Sequence, residues 1–336
     1  MYLDTTLDFD AGLECLLGRL RSGSVRRVMV VGATDTGKTW LCRRLGAWGW
    51  ENGYRVGLLD FDLGQSTVGP PGCVGLQLPW KADDDLLFPT ALGFLGYLSP
   101  AWDVGSVVEK GGLLDKWARD RGYDLLVIDT SGMVSGYLAG LLKRTKIRRL
   151  RPDLVVALER EDETRHIFRG LGEAEERVLF LRPSALCRPR DRKERAEFRG
   201  SLFNRYFRES RLLEIDLDRC GLRRTSPRVP EDLSFLQEGH LLGLEEGAGI
   251  ALSLALLEGL KGKTLCVRTP FRGDAELIRE VSIGPSVLSP DGSLRMATCL
   301  PGPGQDRPPR AMEGKDGSEG FSSSVPGSVD RPSTGA

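Results

Sequence analysis

The sequence predicts an α/β fold: a mostly parallel β-sheet with helices on both faces, an arginine-rich helical lid, and a small β-containing C-terminal extension. Three observations lead there. Short β-rich runs alternate with helical ones through residues 25–210, the pattern of a parallel sheet whose crossovers are helices. A glycine-bounded loop joins the first of these runs to a helix. From Leu212 onward the helical periodicity gives way to short alternating runs separated by turns.

Residues 1–24 read as a lead-in helix. Phe9, Leu13, Leu16, Leu17 and Leu20 recur at helical spacing, Asp8 or Asp10 is the N-cap, and Ser22-Gly23 ends it. Strands are expected at Arg26–Val31, Arg55–Asp60, Ala91–Tyr97, Tyr123–Asp129, Asp153–Glu159 and Arg177–Leu181. Helices are expected at Lys38–Trp50, Val104–Arg121, Gly136–Leu150 and Glu163–Gly170. The main domain spans 25–210, with its lid at about 186–210. The extension, 211–298, carries alternating runs at Leu212–Leu217, Leu241–Leu244 and Thr264–Val267. Residues 299–336 are rich in Gly, Pro and Ser, poor in apolar side chains, and read as a disordered tail.

With 47 basic and 47 acidic residues among 336, the net charge is zero, so affinity for a polyanion has to come from local basic patches. The seven cysteines are scattered without metal or redox spacing, which suits reduced thiols. Met1–Leu20 has acids where a signal peptide has a basic region. The longest apolar run, around Ile250–Leu257, is too short to span a bilayer. A soluble, cytoplasmic protein with no membrane attachment is expected.

The loop is Gly32-Ala33-Thr34-Asp35-Thr36-Gly37-Lys38-Thr39, which satisfies G-x-x-x-x-G-K-[ST] and lies between a strand and a helix. Its glycines let the backbone curl so that N–H groups point at phosphate oxygens, and the helix N-terminus adds partial positive charge. Lys38 is expected on the β- and γ-phosphates and Thr39 on Mg²⁺. The fold class is therefore the P-loop NTPase type, with ATP and Mg²⁺ as the expected ligands.

Acidic residues follow two further strands. Asp60-Phe61-Asp62-Leu63-Gly64-Gln65 puts two carboxylates and an amide at a strand end, the edge of an open α/β sheet that faces ligands. One carboxylate can hold Mg²⁺ and the other can take a proton from an incoming hydroxyl. A lone Asp there can also bind a ribose, but the Lys-Thr ending of the loop argues against it. Asp129-Thr130-Ser131-Gly132 ends another strand. Asp129 is a second candidate for the magnesium shell, and the hydroxyls of Thr130 and Ser131 can reach a transferring phosphate. Asp129 and Gly132 also fit the loose D-x-x-G of GTPases, yet the guanine-reading N/T-K-x-D is missing: neither Asn52 nor Asn204 precedes Lys, and Thr145-Lys146-Ile147 is followed by Arg148.

Two segments are basic. In Arg188–Arg211, Arg192, Arg195 and Arg199 share a helical face, with Leu202, Phe203, Tyr206 and Phe207 as anchors. Such a helix can close over a triphosphate. Lys143, Arg144, Lys146, Arg148, Arg149 and Arg151 form the second run, either a track for a polynucleotide backbone or a solvated helix face. His166 and His240 are isolated and read as structural.

Taken in order, GATDTGKT, DFDLGQ, DTSGMVSG and Arg195-x-x-x-Arg199 resemble the polynucleotide 5′-hydroxyl kinases related to the kinase subunit of the pre-mRNA cleavage complex and to the ribosomal-RNA-processing kinases, including their shorter prokaryotic relatives. The resemblance covers Val25 to Phe207, with weaker support through Ser286. It implies ATP-dependent phosphorylation of a 5′-hydroxyl on RNA or DNA. Lys38 and Thr39 then fall on the phosphate and metal positions. Asp60, Asp62 and Gln65 fall on the Walker B-type element, where an Asp is the base, and Asp62 is preferred because it lies farther beyond the strand. Thr130 and Gly132 fall on the substrate clasp, and Arg195 and Arg199 on the lid, although Arg188 and Arg192 satisfy the same spacing. Met133 stands where the eukaryotic clasp has an aromatic. The alternatives are a P-loop ATPase or GTPase, a small-metabolite kinase, and a nucleotide-bound scaffold in RNA processing that lacks kinase activity.

Overall fold

The computed structural model describes residues 6–297. Helix α1 (Phe9–Arg21) leads into β1 (Arg27–Gly32), α2 (Lys38–Glu51) and β2 (Val56–Asp60). Then come β3 (Cys73–Gln77), β4 (Ala91–Phe94), α3 (Val104–Arg121), β5 (Leu125–Asp129), α4 (Tyr137–Leu150) and β6 (Leu154–Leu158). The one-turn α5 (Arg165–Phe168), β7 (Val178–Leu181) and α6 (Arg192–Phe207) follow. The remaining strands are β8 (Arg211–Asp216), β9 (Gly221–Arg224), β10 (His240–Glu245), β11 (Ala251–Lys261), β12 (Thr264–Thr269), β13 (Glu280–Leu288) and β14 (Leu294–Met296).

The strands β2-β5-β1-β6-β7 lie side by side and are all parallel. Their period-2 alternation sends apolar side chains to two faces. Val28 and Val30 of β1 pack with Leu41, Leu45 and Trp48 of α2 and with Leu16, Leu17 and Leu20 of α1. Met29 and Val31 pack on the other face with Val107 and Leu114 of α3 and Leu142, Ile147 and Leu150 of α4. This is the doubly covered parallel sheet that the alternating pattern predicts. Beyond β2 the sheet turns antiparallel through β3 and β4. Leu92 of β4 then pairs with Ala251 of β11, which carries the same sheet into the antiparallel C-terminal strands.

Several elements differ from expectation. Strands β3, β9, β11, β13 and β14 were not anticipated, and the apolar run at 250–257 proves to be most of the eleven-residue β11. The helix expected at Glu163–Gly170 shrinks to α5, because Asp162, Gly170 and Gly172 all adopt positive φ and bracket it with turns. The tail expected at 299–336 lies outside the described residues. Among the described residues, no helix is long and apolar enough to cross a membrane.

Candidate active site

The loop between β1 and α2 sits at the centre of the parallel strands, where the chain crosses to either side. Gly37 adopts φ 85°, a left-handed turn that a side chain resists, and it starts α2 with its N–H groups facing the loop. Thr36 is almost fully buried and donates to the Ala33 carbonyl at 2.9 Å. Lys38 is buried too, and its Nζ donates to the same carbonyl at 2.6 Å, so the lysine lies across the loop rather than out in solvent.

Strand order separates the three aspartates. Asp129 ends β5, the neighbour of β1, while Asp60 ends β2, one strand farther out. Thr39 Oγ1 therefore meets Asp129, donating to its Oδ2 at 2.7 Å. Burial raises the Asp129 pKa, and Lys38 and the Thr39 hydroxyl offset only part of that rise. Asp60, expected beside the metal, is engaged within its own loop. Its Oδ1 accepts from the Asp62 N–H at 2.8 Å, and its Oδ2 accepts from the Thr67 N–H, the Thr67 hydroxyl and the Val68 N–H. Both oxygens thus accept hydrogen bonds that shape the segment after β2. Burial, with the Asp129 and Asp62 charges beside it, pushes the Asp60 carboxyl up to about 7. Asp62 is only half-buried. Its Oδ1 accepts from the N–H groups of Gly64 and Gln65 at 3.1 and 3.0 Å, and among the described residues no hydrogen bond engages its Oδ2.

The turn after β5 is built into the loop. A side chain on Gly132 would lie 2.8 Å from the backbone N of Thr34, so glycine is needed for this approach. Thr130, expected to touch substrate, is fully buried; its hydroxyl donates to the Val30 carbonyl at 2.7 Å and accepts from Lys143 Nζ at 2.9 Å. Lys143 also donates to the Ser131 carbonyl. The Ser131 hydroxyl is buried without a partner.

Helix α6 carries the residues expected to form a lid. A reciprocal capping box between Asp191 and Glu194 fixes its first turn. One turn further on, Arg195 pairs with Asp35 of the loop at 2.6 Å. Asp35 also accepts from the Arg190 N–H at 2.9 Å, while Arg160 donates to its carbonyl at 3.0 Å. Burial works against the Asp35 charge, but these arginine contacts outweigh it and hold its pKa low. Arg199 is half-buried, and burial and Arg195 lower its pKa while the Asp62 carboxylate opposes them. Arg188 and Arg192 are exposed, whereas Arg195 contacts the loop through Asp35. Gln65 reaches the lid as well, its Nε2 donating to the Gly64 carbonyl at 3.0 Å and, longer, to the Arg195 carbonyl at 3.4 Å. At the far end of α6, Phe203 and Tyr206 are buried, and the Tyr206 hydroxyl accepts from the Leu254 N–H at 3.0 Å.

The second basic run divides. Arg148 and Arg149 are exposed, while Lys143 and Lys146 are fully buried. The Lys146 Nζ has no hydrogen-bond partner and lies 4.1 Å from the centre of the Phe61 ring. Burial pulls it down to about 7, against the attraction of Asp62, Asp60 and Asp129. Burial also pulls Lys143 well below its usual range, and the Lys146 and Lys38 charges add to that. Sequence reading put these two lysines on a polynucleotide track or a solvated helix face, and their burial corrects both readings; the Asp35 latch was not foreseen. One signal was present: Ala139, Leu142, Lys143, Lys146, Ile147 and Leu150 form a single inward stripe at helical spacing.

A phosphate loop at the switch point of a parallel sheet, with a hydroxyl and a carboxylate beneath it and arginines above, defines a P-loop nucleotide-binding protein. Residues 32–209 match the family described as mRNA cleavage and polyadenylation factor CLP1 P-loop, and the chain belongs to that family. It is 29% identical over 218 residues to a polyribonucleotide 5′-hydroxyl-kinase of Methanocaldococcus jannaschii, covering 63% of this chain and 60% of that protein. It is 36% identical over 203 residues to a polyribonucleotide 5′-hydroxyl-kinase of Pyrococcus horikoshii, covering 59% of this chain and 54% of the relative. The matches thus span little more than half of the relatives' own length. The fold is similar to that in a solved structure of a wild-type Clp1p–Pcf11p complex, with TM-score 0.65 at 17% identity over 84% of this chain and 80% of that one.

Proposed function

We propose that this chain is an ATP-dependent polynucleotide 5′-hydroxyl kinase, moving the γ-phosphate of ATP to the 5′-hydroxyl of RNA or DNA. The observation that carries this reading is Asp62: a half-exposed carboxylate in the segment after β2, with Oδ1 held by backbone N–H groups and, among the described residues, no hydrogen bond to Oδ2. The names of the two archaeal relatives support the acceptor and favour RNA.

The loop's amides and the start of α2 would cradle the β- and γ-phosphates, with Lys38 leaving the Ala33 carbonyl to neutralise them. Thr39 and Asp129 form a hydroxyl–carboxylate pair of hard oxygen donors, which suits Mg²⁺, an ion held by few protein ligands plus phosphates. Among the described residues, no group of three or more His, Cys, Asp or Glu is set to hold a metal alone, which agrees with that division. Mg²⁺, if held by Thr39 and Asp129, would supply neutralisation of phosphate charge.

In the transfer, Asp62 Oδ2 takes the proton of the 5′-hydroxyl as its oxygen bonds to the γ-phosphorus. The bond from that phosphorus to the β–γ bridging oxygen breaks, and ADP leaves with the electron pair. Arg195 and Arg199 stabilise the charge that spreads over the transferring group. Asp60 shapes the loop that carries Asp62, Gln65 ties that loop to the lid, and the Thr130–Gly132 turn backs the phosphate loop. Incubation with γ-labelled ATP, Mg²⁺ and a 5′-hydroxyl oligonucleotide tests the reading. Label should appear on the oligonucleotide and fall about 1,000-fold with Lys38→Ala; equal transfer by that variant contradicts it.

A further inference from the structure

We propose that Lys146 is a positioning residue for this transfer: from inside the protein it stands behind Asp62 and keeps that carboxylate turned toward the acceptor hydroxyl. The inference rests on the kinase reading and on Asp62 as the base.

The two buried lysines of α4 have different explanations. Lys143 has acceptors, the Thr130 hydroxyl and the Ser131 carbonyl, and its work is to tether the turn after β5. Lys146, one helical turn further on, has none: its Nζ is fully enclosed and makes no hydrogen bond. An unpaired buried cation is costly, and methionine or leucine would fill the same space without that cost. A cost of this kind next to a reaction centre points to use rather than packing.

What Lys146 faces is consistent with one use. Its Nζ lies over the ring of Phe61, the residue between Asp60 and Asp62, and the Asp62, Asp60 and Asp129 charges favour its protonated form against burial. Asp60 is anchored by its own loop donors and Asp129 by Thr39 and the Thr130 N–H, so neither needs a further cation to hold its orientation. Asp62 is held through Oδ1 alone. While it holds its proton, below about pH 7, Lys146 sets a positive charge among these carboxylates and favours the geometry in which Oδ2 points outward. Phe61 fixes where that charge stands, because its ring fills the space against Gly111 of α3, where even a methyl group would collide.

The test is Lys146→Met, read below about pH 7, where Lys146 is protonated, by label transfer to a 5′-hydroxyl oligoribonucleotide and by thermal unfolding. Expected are a kcat lower by about 30-fold, a KM for ATP within about twofold, and a Tm equal to or above that of the unsubstituted protein. A kcat within about twofold of the unsubstituted protein overturns the role while leaving the kinase reading intact. No transfer by the unsubstituted protein overturns both. Should the methionine variant fail to fold, Lys146→Ala decides the matter. Propylamine, which restores both volume and charge, is expected to recover about fivefold or more of its activity, and propanol to recover none. Equal rescue by propanol makes the residue a spacer and overturns the role.

Discussion

Helices α4 and α6 look alike in sequence and behave as opposites. Each carries five lysines and arginines, in 14 and 16 residues respectively. In α6, Arg192 and Arg205 are exposed, Arg195 and Arg199 are half-buried, Arg195 grips Asp35, and the buried positions go to Gly200, Phe203 and Tyr206. In α4 two of the five basic residues point inward and are wholly buried, sharing a stripe with Leu142, Ile147 and Leu150. A run of positive charge therefore does not say whether it faces ligand, solvent or core. Register against the apolar stripe says so. Arginine keeps its charge at the mouth of the site, while buried lysine gives up much of its charge to desolvation, so the residue types divide as their chemistry allows.

If that division is right, the two helices fail differently. The largest effect belongs to α6. Replacing both Arg195 and Arg199 by Ala is expected to lower kcat for transfer about 1,000-fold with Tm nearly unchanged, since neither side chain is buried in the core. Chevron or thermal data showing a comparable loss of stability would erase the contrast with α4. Next comes Lys143→Ala, which leaves a void and strips the Ser131 carbonyl of its donor. Equilibrium unfolding should show a loss of about 3 kcal/mol, and a neutral result would mean that the turn after β5 holds without its tether.

A smaller effect separates the buried lysines by pH. Lys146 in the folded protein loses its proton near 7, whereas the unfolded chain keeps it to about 10.5. Between those values the unfolded state binds more protons, so stability rises as pH rises, and Lys143 acts in the same direction. Denaturant midpoints measured from pH 7 to 10 should climb, and Lys146→Met should flatten the climb. An unchanged slope in that variant would mean that Lys146 is not buried. The smallest effect is at Arg148 on the exposed side of α4. Arg148→Ala should shift stability by no more than about 0.5 kcal/mol by the same unfolding measurement, and a larger shift would give that face a structural duty.

Legibility in the sequence follows the same line between local and non-local information. The phosphate loop is eight consecutive residues whose spacing alone fixes its shape, so Gly32 to Thr39 could be read directly. So could β1, β2, β5, β6 and β7, whose apolar runs end in turns, and the anchoring of α6 by Phe203 and Tyr206. Which aspartate meets Thr39 was not legible. Asp60 and Asp129 both end strands, and only the order β2-β5-β1 puts Asp129 beside the loop and leaves Asp60 to bind Thr67 and Val68. The Asp35–Arg195 latch joins residues 160 positions apart and is equally invisible locally. In the C-terminal strands, β11 pairs with β4, β10 and β12, so the apolar run from Ile250 is shared among several neighbours and carries no alternation to mark it as a strand.

The most direct measurement is single-turnover transfer from γ-labelled ATP to one RNA oligonucleotide in two forms, with a free 5′-hydroxyl and with that end already phosphorylated. Label on the free-ended RNA alone, abolished by Asp62→Asn while ATP is still bound, is the expected result. Release of labelled inorganic phosphate at the same rate with either RNA, and no label on the polymer, would contradict the proposed chemistry.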